Sequence, residues 1–176
     1  MKLIRAVIVG MILMIPTTAQ AANTPTDAER EKAMKYLSEN AVEIPEEVEY
    51  WCEYYGEKYD ICPEVLEAVC WKESRCTQDA QSADKSCKGL MQIKVGSHKA
   101  RMQKCDVQNI FGVRENIKVG ADYLAELQET EDITVALAKY NGQSEAQIAK
   151  CREGNYTGYV KSILEVSAAL ERVHFK

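Results

Sequence analysis

The sequence has few histidines, no closely spaced cysteine pair and no long uncharged run, and each absence excludes a class of protein. Its two histidines, His98 and His174, stand far apart in the chain. Its seven cysteines include no C-x-x-C pair, so we expect no zinc site and no other metal ion or cofactor. The longest apolar run, residues 6–15, is too short to cross a membrane as a helix.

Positive charge is also scarce relative to negative charge. The chain has 22 lysines and arginines against 27 aspartates and glutamates, a formal net charge of −5. An acidic protein is a poor partner for nucleic acid, because binding to phosphate depends on positive side chains. With 176 residues, of which 46% are hydrophobic, the chain is not disordered and is long enough for one domain with a real core.

The first 21 residues have the pattern of an export signal. Lys2 and Arg5 precede the apolar run, and Ala19-Gln20-Ala21 has the small-x-small form of a signal-peptidase site. We predict cleavage after Ala21, with Ala22 as the next choice and an uncleaved anchor as the alternative. Loss of Lys2 and Arg5 would take the formal charge from −5 to −7. The mature protein is then expected in the periplasm or outside the cell at the wall, with no stable membrane span.

The cysteines all follow the predicted signal, and export together with their number predicts disulfides. Cys70 is our choice for a free thiol, because it lies on the apolar stripe of a predicted helix. Sequence does not determine the connectivity, and a fully reduced chain stays open. The pairings we consider are Cys76 with Cys87, Cys105 with Cys151, and Cys52 with Cys62.

Helical periodicity dominates the remaining chain. The clearest example is residues 115–128, where apolar side chains recur at three and four positions. Strand-like alternation is absent, apart from a short piece near residues 90–95. We therefore predict a mostly α fold with a single domain of about seven or eight short helices. Its limits are 45–173, preceded by a linker and short helix over 22–44.

One charged residue interrupts an apolar helix stripe. Leu66, Val69 and Cys70 recur at helical spacing, and the next step along the stripe is Glu73. A carboxylate at an apolar boundary finds a partner, stays solvated or has a raised pKa and becomes a proton donor. On this local pattern, a helix-end glutamate paired with Lys72 or Arg75 is an equally good interpretation.

Four short motifs resemble those of the soluble lytic transglycosylase (SLT) domain family. They are, in chain order, Glu73-Ser74, Ser82, Gly89-Leu90-Met91-Gln92 and Tyr140-Asn141. The resemblance covers roughly residues 61–164. The departures from the family pattern include Lys139, which stands where a small residue is usual, and Gly142-Gln143 after Asn141 in place of Ala-Gly. In addition, one extra residue between the loop serine and Gly89 makes Ser86 a rival of Ser82, and Asn155 stands where an acidic residue is usual.

The resemblance implies a lysozyme-like fold of the goose-type lysozyme and transglycosylase class, and a peptidoglycan-cleaving activity. In that family a glutamate at the position of Glu73 is general acid and then general base. It cleaves the β-1,4 bond between N-acetylmuramic acid and N-acetylglucosamine and leaves 1,6-anhydromuramoyl ends, without a cofactor. The substrate-binding residues carried over in this way are Ser82, Met91, Gln92, Tyr140 and Asn141.

Two other functions fit the same motifs. A lysozyme-type muramidase would hydrolyse the bond and would usually need a second carboxylate, but nothing in the sequence places Asp79 or Asp84 across a cleft from Glu73. A non-catalytic glycan-binding component of a wall-spanning assembly is the third. The expected partners are peptidoglycan strands, and the small size of the domain favours a role beside a secretion, conjugation or phage apparatus.

Overall fold

The structure of the protein is a computed structural model, which describes residues 24–175. The predicted signal peptide and its cleavage site lie outside these residues. Within residues 24–175, no helix is both long enough and apolar enough to cross a membrane.

The described chain forms eight α-helices and one two-stranded hairpin. The helices are α1 Asp27–Glu39, α2 Glu46–Tyr59, α3 Pro63–Ser74, α4 Lys99–Lys104, α5 Val113–Gln128, α6 Ile133–Tyr140, α7 Glu145–Arg152 and α8 Gly158–His174. The strands are β1 Cys87–Lys88 and β2 Ile93–Lys94, which pair antiparallel between α3 and α4. The predicted mostly α class and helix number are confirmed.

Local signals in the sequence explain where several helices begin. Thr26 and Glu29 form a capping box at the start of α1, and Ser144 and Gln147 form another at α7. The side chain of Asp132 accepts the first free N–H groups of α6. Pro63 occupies the first turn of α3, where its missing N–H costs nothing.

Helix α3 lies at the centre of the domain. Residues 65–71 are all buried, including Leu66, Val69 and Cys70 at 0% exposure, so this helix has no solvent face over almost two turns. It packs against α2 and α8, and α1 covers the other side of α8. Because neighbouring elements pack around α3, the helix is held in a fixed position, and a functional residue at its C-terminal end is held with it.

Helix α5 joins this central pair to the second half of the domain. It packs against α2 on one side and α6 on another, and α6 in turn carries α7. Arg101 and Lys104 of α4 form ion pairs with the buried Asp122 of α5. These contacts fix α4 and the segment before it beside the hairpin.

The predicted disulfides are not present in the structure. All seven cysteines lie within the described residues, and all seven are free thiols. Cys52 and Cys62 lie in different environments: Cys52 is buried beside Cys70, whereas the exposed Cys62 donates to Glu64. Cys70, predicted as the lone free thiol, is therefore one of several buried thiols that pack as small apolar side chains.

Candidate functional site

A cleft of about 440 Å³ opens between the end of α3, the hairpin, α5 and the end of α6. Residues of these elements and of the segments next to them line it. They are Glu73, Ser82, Cys87, Gln92, Ile93, Lys94, His98, Tyr123, Tyr140, Asn141 and Gly142.

Glu73 reaches this cleft because α3 ends abruptly. The helix stops at Ser74, and the next two residues, Arg75 and Cys76, both have positive φ values, 54° and 55°. This turns the chain away from the helix axis and leaves the last turn facing the cleft. The hydroxyl of Ser74 donates to the carbonyls of Cys70 and Leu90, which ties the helix end to the hairpin.

The carboxylate of Glu73 is half-buried and has one side-chain hydrogen-bond donor. The Tyr159 hydroxyl, from the first turn of α8, donates to Glu73 Oε1 over 2.6 Å. Burial raises the pKa of Glu73 above its ordinary value, while the Tyr159 hydrogen bond and Lys72 act in the opposite direction. Burial also raises the pKa of Tyr159, with the Glu73 charge adding to it, so this hydroxyl remains a donor. Glu73 is thus a carboxyl group that can hold a proton at higher pH than a solvated one.

The turn that connects the two strands is held by hydrogen bonds from Asn116 of α5. This fully buried side chain accepts from the Met91 N–H and donates to the carbonyls of Lys88 and Ile110, at 2.8 to 2.9 Å. Gly89 has a φ of 76°, and a Cβ there would lie 2.1 Å from Asn116 Nδ2. Glycine is therefore required both by the backbone and by the close approach of Asn116.

Met91 does not line the cleft, contrary to the prediction that it forms part of the wall. Its side chain is fully buried and packs so closely on Gly120 of α5 that a Cβ on that glycine would lie 2.3 Å from Met91 Sδ. The carbonyl of Met91 accepts the Tyr140 hydroxyl over 2.9 Å. The tight turn at residues 89–92 directs this side chain into the core, so Met91 supports the cleft from behind.

Gln92 and Ser82 do lie at the cleft surface. Gln92 has a φ of 47°, and its amide nitrogen donates to the carbonyls of Gly89 and Ala80. Ser82 donates to Asp84 and accepts the Cys87 N–H, which closes the loop before the hairpin.

The rival serine, Ser86, is not among the lining residues. It also donates to Asp84. The hydrogen bonds from Ser82 and Ser86 lower the pKa of Asp84 to about 2, so this exposed carboxylate stays ionised. The structure thus favours Ser82 over Ser86 as the cleft serine.

Tyr140 and Asn141, at the end of α6, also line the cleft. The Tyr140 ring lies 5.3 Å from that of Tyr123, which in turn lies 4.4 Å from the ring of His98. Burial and the nearby Arg101 lower the pKa of His98, so its ring is mainly neutral at pH 7. These three rings form a continuous aromatic wall, the kind of surface on which the apolar faces of sugars can stack.

Sequence reasoning missed three of the residues that the structure brings to the site. Tyr159 lies 86 positions after Glu73 in the chain, and only the tertiary structure brings the two side chains together. Tyr123 borders the apolar stripe of α5 three residues after Gly120, which is the signal that could have identified it. His98 had no sequence signal, because its role depends on the position of α4.

Glu73 is the one carboxylate among the residues that line the cleft in the described part of the chain. Within residues 24–175, no group of three His, Cys, Asp or Glu side chains has an arrangement that could hold a metal ion. The cleft therefore offers one proton-exchanging carboxyl group, a neutral aromatic wall, the lysine side chain of Lys94, and amide and hydroxyl groups. This set suits a polyhydroxylated substrate whose bond is broken by proton transfer.

Comparison with known families adds an independent finding. The family model described as "Transglycosylase SLT domain" matches residues 50–158, which is more than half of the chain. The matched region contains every residue that lines the cleft and ends one position before Tyr159. No curated protein matches the chain.

Proposed function

The chain belongs to the transglycosylase SLT domain family, whose activity on peptidoglycan is of the lytic transglycosylase type. We propose that this protein cleaves the glycan strand of peptidoglycan and that Glu73 is its catalytic residue. The bond is the β-1,4 linkage between N-acetylmuramic acid and N-acetylglucosamine. The domain has the lysozyme-like fold of this family. The observation that carries the proposal is the single cleft carboxylate, Glu73, half-buried and hydrogen-bonded by Tyr159.

The first step requires Glu73 in its protonated form. Its proton goes to the glycosidic oxygen as the bond from that oxygen to C1 of the muramoyl residue breaks, since an alkoxide is a poor leaving group. Burial, which raises the pKa of Glu73, favours this form. The N-acetyl oxygen of the substrate stabilises the positive charge that develops at C1.

The second step uses Glu73 as a carboxylate. It accepts the proton of the C6 hydroxyl of the same sugar while that oxygen bonds to C1, which yields the 1,6-anhydro end and restores the acid. No water is consumed, and no second carboxylate is needed. The Tyr159 hydroxyl stabilises the ionised form between the two steps, because hydrogen bonds to a charged acceptor are stronger than neutral ones.

The remaining cleft residues are proposed to hold the glycan. Gln92 and Asn141 offer amide groups for the N-acetyl and hydroxyl groups, and Ser82 offers a hydroxyl. Tyr140 provides the ring that faces the sugar next to the scissile bond, with Tyr123 extending that surface. Met91 does not belong to this set, since its side chain is buried.

We also propose an exported protein, with cleavage after Ala21, a linker and short helix over 22–44, and a catalytic domain over 45–173. Peptidoglycan lies outside the cytoplasmic membrane, so the substrate and the predicted signal indicate the same compartment. Local opening of the wall for a secretion, conjugation or phage apparatus is the proposed role.

Product analysis tests the reaction. Purified peptidoglycan incubated with the enzyme is expected to release muropeptides with 1,6-anhydromuramoyl ends, identified by mass spectrometry. Products one water heavier, with reducing muramoyl ends, would instead indicate a lysozyme-type muramidase. Binding without any soluble product would indicate a non-catalytic glycan-binding protein.

Replacement of the tyrosine that contacts the acid, Tyr159→Phe, is expected to change the pH dependence of the reaction. The hydrogen bond lowers the pKa of Glu73, so its loss raises that pKa further above its ordinary value. Acid catalysis is lost as pH rises through the pKa of Glu73, so the alkaline limb of the pH–rate profile moves to higher pH. We also expect about a tenfold lower maximal rate, because the carboxylate needed in the second step loses its donor.

Tyr36→Phe is the matched control. Tyr36 also donates to a glutamate, Glu165, but this pair is exposed and remote from the cleft residues. Its pH–rate profile should coincide with that of the wild type. An unchanged alkaline limb in Tyr159→Phe would refute the role given to Tyr159.

A further inference from the structure

The loop after α6 departs from the family pattern directly beside the cleft. Gly142-Gln143 follows Asn141 in this chain, where Ala-Gly is usual. Asn141 and Gly142 both line the cleft, whereas Gln143 is not among the lining residues. Nothing in the cleavage mechanism described above uses Gln143, although it follows two cleft residues in the chain.

The backbone holds Gln143 in a defined position. Gly142 has a φ of 69°, the left-handed conformation in which many helices end. Its N–H donates to the carbonyl of Lys139 over 2.9 Å, and the N–H of Gln143 donates to the carbonyl of Ala138 over 3.1 Å. These two hydrogen bonds form a Schellman motif, in which the helix itself fixes the two residues after its cap. The side chain of Gln143 therefore starts from a fixed point at the end of α6.

The side chain of Gln143 connects this loop to α8. Its Nε2 donates to the hydroxyl of Thr157, the N-cap residue of α8, over 2.7 Å, and lies 3.5 Å from Asn141 Oδ1. Within residues 24–175, no other hydrogen bond joins residues 141–144 to residues 153–160. One amide group thus links the loop that carries Asn141 to the start of the helix that carries Tyr159.

Thr157 does not cap α8 with its side chain. A threonine at the N-cap position normally accepts a free N–H group from the first turn of its helix. The Thr157 side chain makes no such hydrogen bond, and its hydroxyl accepts from Gln143 instead. The next residue is Gly158, where a Cβ would find no atom within 4 Å, so nothing packs on the helix at this point. The start of α8 is therefore held by Gln143 rather than by a cap.

The position of this first turn matters because it carries Tyr159. Tyr159 lies two residues after Thr157, and its hydroxyl donates to Glu73 over 2.6 Å. The strength of a hydrogen bond falls steeply when the distance or the angle at the donor changes. Gln143 is thus linked to Glu73 through Thr157 and Tyr159, although it does not contact the substrate cleft itself.

The second polar atom of the Gln143 amide offsets the stability that the first one contributes. Gln143 Oε1 is buried and has no hydrogen-bond partner within the described residues. A buried acceptor without a partner costs about as much free energy as one hydrogen bond contributes. The hydrogen bond to Thr157 therefore brings little net stability, and stabilisation of the fold does not account for a glutamine at this position.

We propose that Gln143 is a positioning residue of the active site, which holds the first turn of α8 so that the Tyr159 hydroxyl stays on Glu73. Its role in cleavage rests on the proposed function of Glu73, whereas the hydrogen bonds that position Tyr159 do not depend on the substrate. Without the Gln143 amide, the Thr157 hydroxyl turns back to the free N–H groups of α8, and Tyr159 moves with the turn. The donor to Glu73 is then displaced rather than removed.

Titration of Glu73 in the free protein tests the proposal without any substrate. Its carboxyl ¹³C signal, assigned by its absence in Glu73→Gln, is followed by NMR in the wild type and in Gln143→Met, which keeps the side-chain length but lacks the amide. We expect the pKa of Glu73 to rise further above its ordinary value in Gln143→Met, because the hydrogen bond to the carboxylate weakens. In the Tyr159→Phe background, Gln143→Met should add no further shift, since the donor is already absent.

The ionisable groups around Glu73 are the same in this variant as in the wild type, so the shift reports the hydrogen bond. They are Lys72 on α3, Cys87 and Lys94 on the hairpin, His98 before α4, Tyr123 on α5, Tyr140 on α6 and Tyr159 on α8.

The rate of peptidoglycan cleavage gives a second readout. At saturating substrate, Gln143→Met is expected to be about fivefold slower than the wild type, since a displaced donor costs less than a missing one. The alkaline limb of its pH–rate profile should move to higher pH, as in Tyr159→Phe. A wild type without cleavage activity would refute the proposed function, and the NMR titration would still decide the role of Gln143.

Substitutions of Thr157 keep the test independent of the folding of Gln143→Met. Thr157→Val removes the hydroxyl and should shift the titration of Glu73 as Gln143→Met does, whereas Thr157→Ser keeps the hydroxyl and should restore the wild-type titration. Gln108→Met is the matched control, because the amide of Gln108 is exposed and does not line the cleft. Glu73 should titrate in this control as in the wild type.

Two results would overturn the proposal. One is a wild-type titration of Glu73 in either Gln143→Met or Thr157→Val. The other is a further rise of the pKa of Glu73 when Gln143→Met is added to Tyr159→Phe, because Gln143 would then act on Glu73 by a route other than Tyr159.

Discussion

Glu73→Gln is expected to reduce the rate of peptidoglycan cleavage by about 10³-fold, the usual range for removal of a general acid. Glutamine occupies nearly the same volume and can still accept the Tyr159 hydrogen bond, but it cannot give a proton to the leaving oxygen or take one from the C6 hydroxyl. Both steps therefore fail together. The measurement is the initial rate of release of anhydro-muropeptides, with glycan binding determined in parallel and expected to persist.

Glu67→Gln is the matched control for this substitution. It replaces a buried glutamate of the same helix, fewer than two turns earlier, and removes a carboxyl group whose pKa is also raised by burial. It does not line the cleft, so cleavage at pH 6 should continue at the wild-type rate. Activity of Glu73→Gln within tenfold of the wild type would remove Glu73 from the mechanism.

Asn116→Ala is expected to lower the free energy of unfolding by about 3–5 kcal/mol. The substitution removes three hydrogen bonds and leaves the Met91 N–H and the carbonyls of Lys88 and Ile110 without their partner in a buried place. The turn at residues 89–92 loses its support, so Gln92 shifts within the cleft and activity falls even where the protein is folded. Urea unfolding monitored by circular dichroism gives the stability change.

Asn155→Ala provides the comparison, because Asn155 is exposed in the turn after α7. Its effect on the free energy of unfolding should be within about 0.5 kcal/mol of zero. If Asn116→Ala is destabilised by less than about 1 kcal/mol, Asn116 does not hold the turn as the structure indicates.

Much of the fold follows from local signals in the sequence. Periodic apolar residues over 115–128, proline at position 63 and the polar caps at Asp132 and Ser144 each act within one or two turns, so they can be identified without tertiary information. The strand predicted near residues 90–95 was also identifiable from a local pattern, and β2 lies within that segment. The predicted disulfides are wrong, because cysteine number and spacing do not show which thiols meet in space, and all seven cysteines are free thiols in the structure.

The sequence by itself determined the helical class and the family resemblance, and that resemblance, rather than the local pattern alone, favoured Glu73 as the catalytic residue. Only the tertiary structure decided what surrounds it. Tyr159 reaches Glu73 because α8 packs along α3, and Met91 lies in the core because Gly120 leaves space for it. The physical reason is the range of the interactions: helix periodicity and capping act over a few residues, whereas burial, hydrogen bonding and the pKa of Glu73 depend on residues far apart in the chain.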